Sequence, residues 1–321
     1  MKIILPLFLQ LFICQLCIAQ TYSFKPQWKV GESKTMRTEI VEKEYKKGEL
    51  VSEESEKEEI RFEVIGESDA SYTLRLSYKN AALKNAKNIL DEEEKENLEE
   101  QPPTILIYDI NKETAEANLT NWEEARDQFI KGYEKIESFL KQEDDGNTSF
   151  FGIIMRPLLS VFESKENMEA YFQKDINNII QPFGKEYELN KTVSSNTSSE
   201  NPFKTSETIA ATTKTTLASM DSTEMTCIFV VETIVDMSYM KDMMKSLIKK
   251  MNESFDTSKR SAKKKMKDID ELEMDMKNTQ QYYFNFKTSW VSKIVNTTTV
   301  KGYEPGKGKR KNETVSITLI Q

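Results

Sequence analysis

The sequence contains no histidine, and that absence excludes more chemistry than any motif in the chain supplies. Without imidazole there is no Ser-His-Asp or Cys-His nucleophilic machinery, no His-containing zinc site and no histidine pH sensor. Cysteine is nearly as scarce. Cys14 and Cys17 lie in the opening apolar run, which leaves Cys227 alone in the rest of the chain. A single thiol makes neither an internal disulfide nor a Cys-rich zinc site. Its place in the apolar run 226–231 reads as that of a small core residue. Long hydrophobic runs are missing too: after the N-terminus no segment approaches the about 18 consecutive apolar residues of a membrane-spanning helix. Positive charge is in deficit, with 45 Lys and Arg against 53 Asp and Glu. Duplex binding depends on neutralising phosphates, so this balance excludes nucleic acid as the main partner. Carboxylate, lysine, tyrosine and Ser–Lys chemistry remain.

Nucleotide fingerprints are absent as well. Gly302, Gly306 and Lys307 only mimic a P-loop, because the spacing is wrong and no Ser or Thr follows the lysine.

The N-terminus is what the chain does have. Met1-Lys2 gives a short positive region, Ile3 to Ile18 is apolar apart from Pro6, Gln10 and Gln15, and Cys17-Ile18-Ala19 closes with small residues. This order predicts a secretory signal peptide over 1–19, cut between Ala19 and Gln20. Neither Cys14 nor Cys17 follows the small residues a lipoprotein signal requires. The expected location is therefore periplasmic or secreted. An exported chain of about 300 residues without disulfides fits a bacterial envelope, since a core of that size needs no bridges. Sequons such as Asn118, Asn196 and Asn312 point the other way.

Hydrophobic periodicity organises the remainder into 20–182 and 183–321, two halves of one continuous unit. In the first half, 34–45 alternates loosely, 46–49 is a turn, a long polar return strand leads to Ile60, and Ile60, Phe62 and Val64 alternate with charged residues. Tyr72, Leu74, Leu76 and Tyr78 then face one way, with polar residues between them, as in a half-buried antiparallel strand. An acidic helical stretch at 81–100 ends at Pro102-Pro103, and 104–110 is a short buried strand. Trp122, Ala125, Phe129, Tyr133, Ile136 and Leu140 predict a helix over 120–142, capped by Thr120 or Asn121. A turn at 144–148 and an apolar segment at 150–162 follow. Met168, Phe172, Ile176 and Ile179 predict a second helix over 165–181, stopped by Pro182.

The second half repeats this outline, with a polar hairpin region from Gly184, a turn at Asp221 and an apolar strand at 225–231. That parallel suggests a duplication. Helix 236–256, a charged helical stretch at 257–278 and a closing meander at 282–286, 289–299 and 315–320 complete the reading. The expected fold class is α+β: a curved antiparallel sheet, in two related halves, packed against amphipathic helices.

Candidate sites are few. Met237, Met240, Met244, Leu247 and Met251 recur at helical spacing. Methionine is flexible and polarizable, so this stripe is either an ordinary core face or the lining of an apolar cavity. The basic run from Lys259 to Lys267 is followed at once by acids and reads as a solvated helix face. Asp144-Asp145-Gly146-Asn147 lacks the spacing and terminal Glu of a calcium loop. No metal site and no cofactor is expected. Paired carboxylates could hydrolyse glycosidic bonds, but no pair stands out among the acids, and Ser160, Ser246 and Lys249–Lys250 form no nucleophile–base arrangement.

With these elements placed, the signal ending Ala19-Gln20, the Trp28-x-x-Gly31 opening of a long hairpin and Asn118-Leu-Thr-Asn-Trp122 before a helix resemble exported proteins of Gram-negative bacteria. In outline the element order is also similar to the lipoprotein-carrier folds. That likeness implies a curved sheet around an apolar cavity and carries over no functional residue. The expected function is non-enzymatic binding of an apolar or amphipathic ligand, or of an envelope protein, with no membrane segment after signal removal. A carboxylate-based hydrolase of envelope glycans or peptides, and a structural assembly protein, are the alternatives.

Overall fold

The computed structural model describes residues 20–79, 102–142, 160–200, 208–235, 245, 273–304 and 308–321. The signal segment 1–19, the stretches expected as helix at 81–100 and (Lys245 apart) 236–256, the turn at 144–148 and the basic run 259–267 lie outside the described residues.

The α+β expectation is overturned. The described chain is dominated by one antiparallel sheet of 11 strands in the order β6-β5-β4-β3-β2-β13-β12-β11-β10-β9-β8. These strands are β2 (Ser33–Lys46), β3 (Glu49–Glu67), β4 (Ser71–Tyr78), β5 (Thr104–Asn111), β6 (Ala117–Leu119), β8 (Thr192–Glu200), β9 (Thr208–Asp221), β10 (Thr226–Val235), β11 (Glu273–Asn285), β12 (Trp290–Glu304) and β13 (Gly308–Ile320). A two-stranded ribbon pairs β1 (Thr21–Ser23) with β7 (Glu186–Glu188). The described helices are α1 (Trp122–Gln142) and α2 (Lys165–Ile180), and a 3-10 turn covers Ser160–Glu163.

The physical reason for the difference is strand length. Strands of 19 residues in β3 and 15 in β12 far exceed the usual five or six. Their Thr-, Glu- and Lys-rich ends carry little hydrophobic signal. β12 pairs on both sides and the polar end of β3 pairs with β2, so the ladder satisfies backbone groups where side-chain pattern is silent. The charged helical reading of 257–278 fails at its end for the same reason. Residues from Glu273 onward are β11, aligned residue for residue with β12 as far as Tyr283.

Residues 20–182 supply one side of the sheet and 183–321 the other, and they meet where β2 pairs with β13, as in Val41 opposite Val315. The β2–β3 hairpin closes on Lys47 and Gly48, both at positive φ (54° and 93°). This is the backbone that a two-residue hairpin turn demands.

The core lies on one face, here called the inner face. Strand alternation buries Ile60, Phe62 and Val64 of β3, Leu74 and Leu76 of β4, Phe229 of β10, Phe284 of β11 and Ile294 of β12. The N-terminal segment crosses this face. Phe24 packs edge-on against Phe229 and Phe284, at 5.5 Å between ring centres in each case. Trp28 packs against Tyr72, Phe183 and Trp290, and its indole N–H donates to the Ser289 carbonyl at 2.8 Å. Helices α1 and α2 lean on the same face through Ala125, Phe129, Tyr133, Met168, Phe172 and Ile176. Phe172 stacks on Phe129 at 5.1 Å. Ser164 caps α2, its hydroxyl accepting from the Asn167 amide.

Candidate functional site

Beyond the packed core the inner face opens into a cavity of about 530 Å³. Its floor follows from the register of five adjacent strands. One cross-strand row runs Glu58–Thr38–Thr318–Ile294–Tyr282, and the next runs Glu56–Ile40–Ser316–Asn296–Gln280. Nearer the core, the same strands carry Ile60, Met36 and Ile320 at the equivalent positions. Inward side chains thus change from aliphatic to polar within two residues on β3 and β13. A filled core would not place Ser316 and Thr318 at buried inward positions; a polar-lined space does.

The floor is held by its own hydrogen bonds. The Thr38 and Thr318 hydroxyls meet at 2.8 Å, and the Tyr282 hydroxyl donates to the Gln280 side-chain carbonyl at 2.9 Å. One row further out, the Asn278 amide donates to Asn296 and Thr298 at 2.8 and 2.7 Å. These contacts fix the rotamers of a wall rich in amide and hydroxyl groups.

The opposite wall is aromatic. Tyr171 and Phe172 of α2, Phe129 and Tyr133 of α1 and Tyr78 of β4 line it. Tyr78 donates to Asp175 at 3.0 Å, and burial, followed by the Asp175 charge, pushes its phenol well above the usual range. Tyr108, next along the inner face, is raised by the same two causes in the same order. Its hydroxyl is buried and has no hydrogen-bond partner among the described residues.

Charge is sorted by depth. Glu56, Glu58 and Asp175 are half-buried, whereas the lining lysines Lys57, Lys79 and Lys174 are exposed. On β2 and β3 the sorting follows from alternation. Glu42, Glu44, Glu54, Glu56 and Glu58 share the inward parity of Ile60, with Lys34 beside the core and Lys46 at the turn, while Arg37, Lys43, Lys57 and Arg61 take the outward one. Outward pairs such as Arg37–Glu59 (2.9 Å) and Lys43–Glu53 (3.5 Å) neutralise that face.

Met237, Met240, Met244, Leu247 and Met251 lie outside the described residues, so the cavity stands on other residues. Sequence reasoning read a polar return strand up to Ile60 but assigned its glutamates to no site. The available signal was the spacing of Glu54, Glu56 and Glu58 in phase with Ile60, Phe62 and Val64. Cys227 is buried, and desolvation pushes its thiol up to about 12. Among the described residues no helix is long and apolar enough to cross a membrane, and no cluster of acids and thiols forms a metal site.

No protein-family model matches the chain, and no curated protein is similar to it in sequence. Among solved structures, an outer membrane channel from Pseudomonas putida F1 is similar at 8% identity, over 92% of this chain and 98% of that one, with a TM-score of 0.21. At that score the channel's role is not carried over.

Proposed function

We propose that this protein is a non-catalytic carrier or receptor that takes a small amphipathic ligand into the inner-face cavity. The observation that supports the reading is the opposition of an aromatic wall to a hydrogen-bonding wall across about 530 Å³. That volume lies within the roughly 300–1,000 Å³ typical of small-ligand sites, which combine apolar lining with a few placed polar groups. The ligand's apolar part rests on Phe129, Tyr133 and Phe172, and its polar part reaches Ser316, Asn296 and Gln280. The protein works outside the cytoplasm, a reading supported by the signal-peptide pattern ending at Ala19-Gln20.

Native mass spectrometry of the protein purified from the cells that make it tests the reading. The expected result is a reproducible bound mass, removed by organic extraction and recovered chemically intact, with an N-terminus at Gln20. Ser316→Phe fills the floor of the cavity and abolishes the bound mass while the fold persists by circular dichroism. A chain that stays free of ligand, both as isolated and after incubation with an envelope lipid extract, overturns the binding reading. Recovery of a cleaved product points instead to carboxylate hydrolysis by Glu56, Glu58 or Asp175.

A further inference from the structure

Resting on that reading, we infer that the polar end of the ligand is an organic cation, an amine or quaternary ammonium group. The alternation of β2 and β3 sets the charge that faces the cavity. On the cavity-facing side of this hairpin the titratable side chains that line the cavity are carboxylates, Glu58 and Glu56, and Glu54, Glu42 and Glu44 continue the same parity as far as Lys46 at the turn. The basic residues Arg37, Lys43, Lys57 and Arg61 project from the other face, where Arg37 and Lys43 pair with Glu59 and Glu53; Lys34 and Lys46 take the inward parity, but outside the rows that line the cavity. The sheet therefore separates its charges across its own thickness, with the negative side inward.

The aromatic wall favours a cation independently of the acids. Phe129, Tyr133, Tyr171 and Phe172 present rings to the same space. Ring faces carry a negative quadrupole and attract cations, an attraction that grows when water is removed. An anionic headgroup would meet half-buried carboxylates at close range in a partly desolvated site, where like charges repel strongly. A neutral headgroup would leave both features unused. The exposed lining lysines, Lys79 and Lys174 with Lys57 at an outward position, do not reverse this order, because charges in contact with water are screened more than those inside. Glu56, Glu58 and Asp175 already have partners within the protein; the cation adds to a negative field and needs no free group.

The experiment uses three probes of equal chain length, octyltrimethylammonium, 1-octanol and octanoate, below their micellar concentrations, with the full-length chain in isothermal titration calorimetry. The cation is expected to bind at least tenfold more tightly than either of the others, and added salt weakens it but not octanol. The double variant Glu56→Gln, Glu58→Gln loses that tenfold preference and keeps its affinity for octanol. Glu39→Gln with Glu53→Gln, on the outer face of the same strands, retains the preference and so separates a local field from overall charge. Equal binding of octanol, or tighter binding of octanoate, overturns the cation inference and leaves the cavity reading standing. Binding of none of the three overturns both. Should the inner-face variant fail to fold, the salt dependence and the ranking of probes on the native chain decide the matter alone.

Discussion

Gly184 shows how much a single position can carry. It sits at φ +70°, and a Cβ added there would run into the backbone carbonyl of Thr114, so both conformation and space demand glycine. Gly31 also has positive φ (87°) but open space around the missing Cβ. Gly184→Ala is expected to cost about 2–4 kcal/mol, from backbone strain plus overpacking, against about 1 kcal/mol for Gly31→Ala. Urea unfolding of the two variants measures the difference, and equal losses would show that the Thr114 contact gives way. Cys227 offers a second check. Burial raises its thiol to about 12, which leaves almost no thiolate near neutrality. In the chain processed at Ala19-Gln20, a thiol reagent is expected to label nothing in the folded state and one group in denaturant. Rapid labelling of the native protein would contradict its place in the core.

At the scale of the element, Asn121 shows a residue type read correctly and its role read wrongly. Its position before α1 suggested a helix cap. The structure instead turns its side chain onto β5, where its Oδ1 accepts from the Ile107 amide at 2.7 Å and its Nδ2 donates to the Ile105 carbonyl at 3.0 Å. Gln128 of α1 accepts from the Ile105 amide as well. Strand β6 covers only residues 108–110 of β5. The two side chains extend the ladder past its end and protect an edge that would otherwise pair with another chain. Asn121→Ala removes one donor and one acceptor and is expected to cost about 2 kcal/mol, with faster aggregation on mild heating. Denaturant titration and light scattering read the two effects. Loss of helicity without aggregation would return Asn121 to the capping role. The buried stripes of α1 and α2 were legible from periodicity. The edge contact was not, because it depends on how short β6 is.

For the whole molecule, the relevant balance is protonation. Burial is the leading cause that raises the phenols of Tyr78, Tyr108, Tyr187 and Tyr282, as it does the Cys227 thiol. In each case the folded chain holds its proton more tightly than the unfolded one. The associated stability is complete below the unfolded values, about 8.5 for Cys and 10 for Tyr, and is lost as pH rises through the folded ones. With no histidine in the chain, no side chain of ordinary pKa titrates between pH 6 and 8. The melting temperature is therefore expected to be level from pH 6 to 8 and to fall steadily above about 9. Differential scanning calorimetry from pH 6 to 11 tests this, and a step near pH 6.5 or a level profile to pH 11 would sink it.

The sequence by itself determined the local structures whose signal is contained in a short window. Strand β4 follows from strict alternation over 72–78, helices α1 and α2 from aromatic and aliphatic stripes, the hairpin turn from Lys47-Gly48, and the absence of imidazole chemistry from composition. Only the tertiary structure decided that the polar return strand before Ile60, the Ser- and Thr-rich hairpin and residues 273–304 join one continuous sheet, because their pairing energy lies in backbone hydrogen bonds that side-chain pattern does not encode. It alone set the register that lines Glu58 with Thr318 and Tyr282 across five strands. A one-residue slip in β3 would turn its three inward glutamates to the other face. The cavity and its charge exist through cross-strand neighbours far apart in the chain, and no window of sequence contains them.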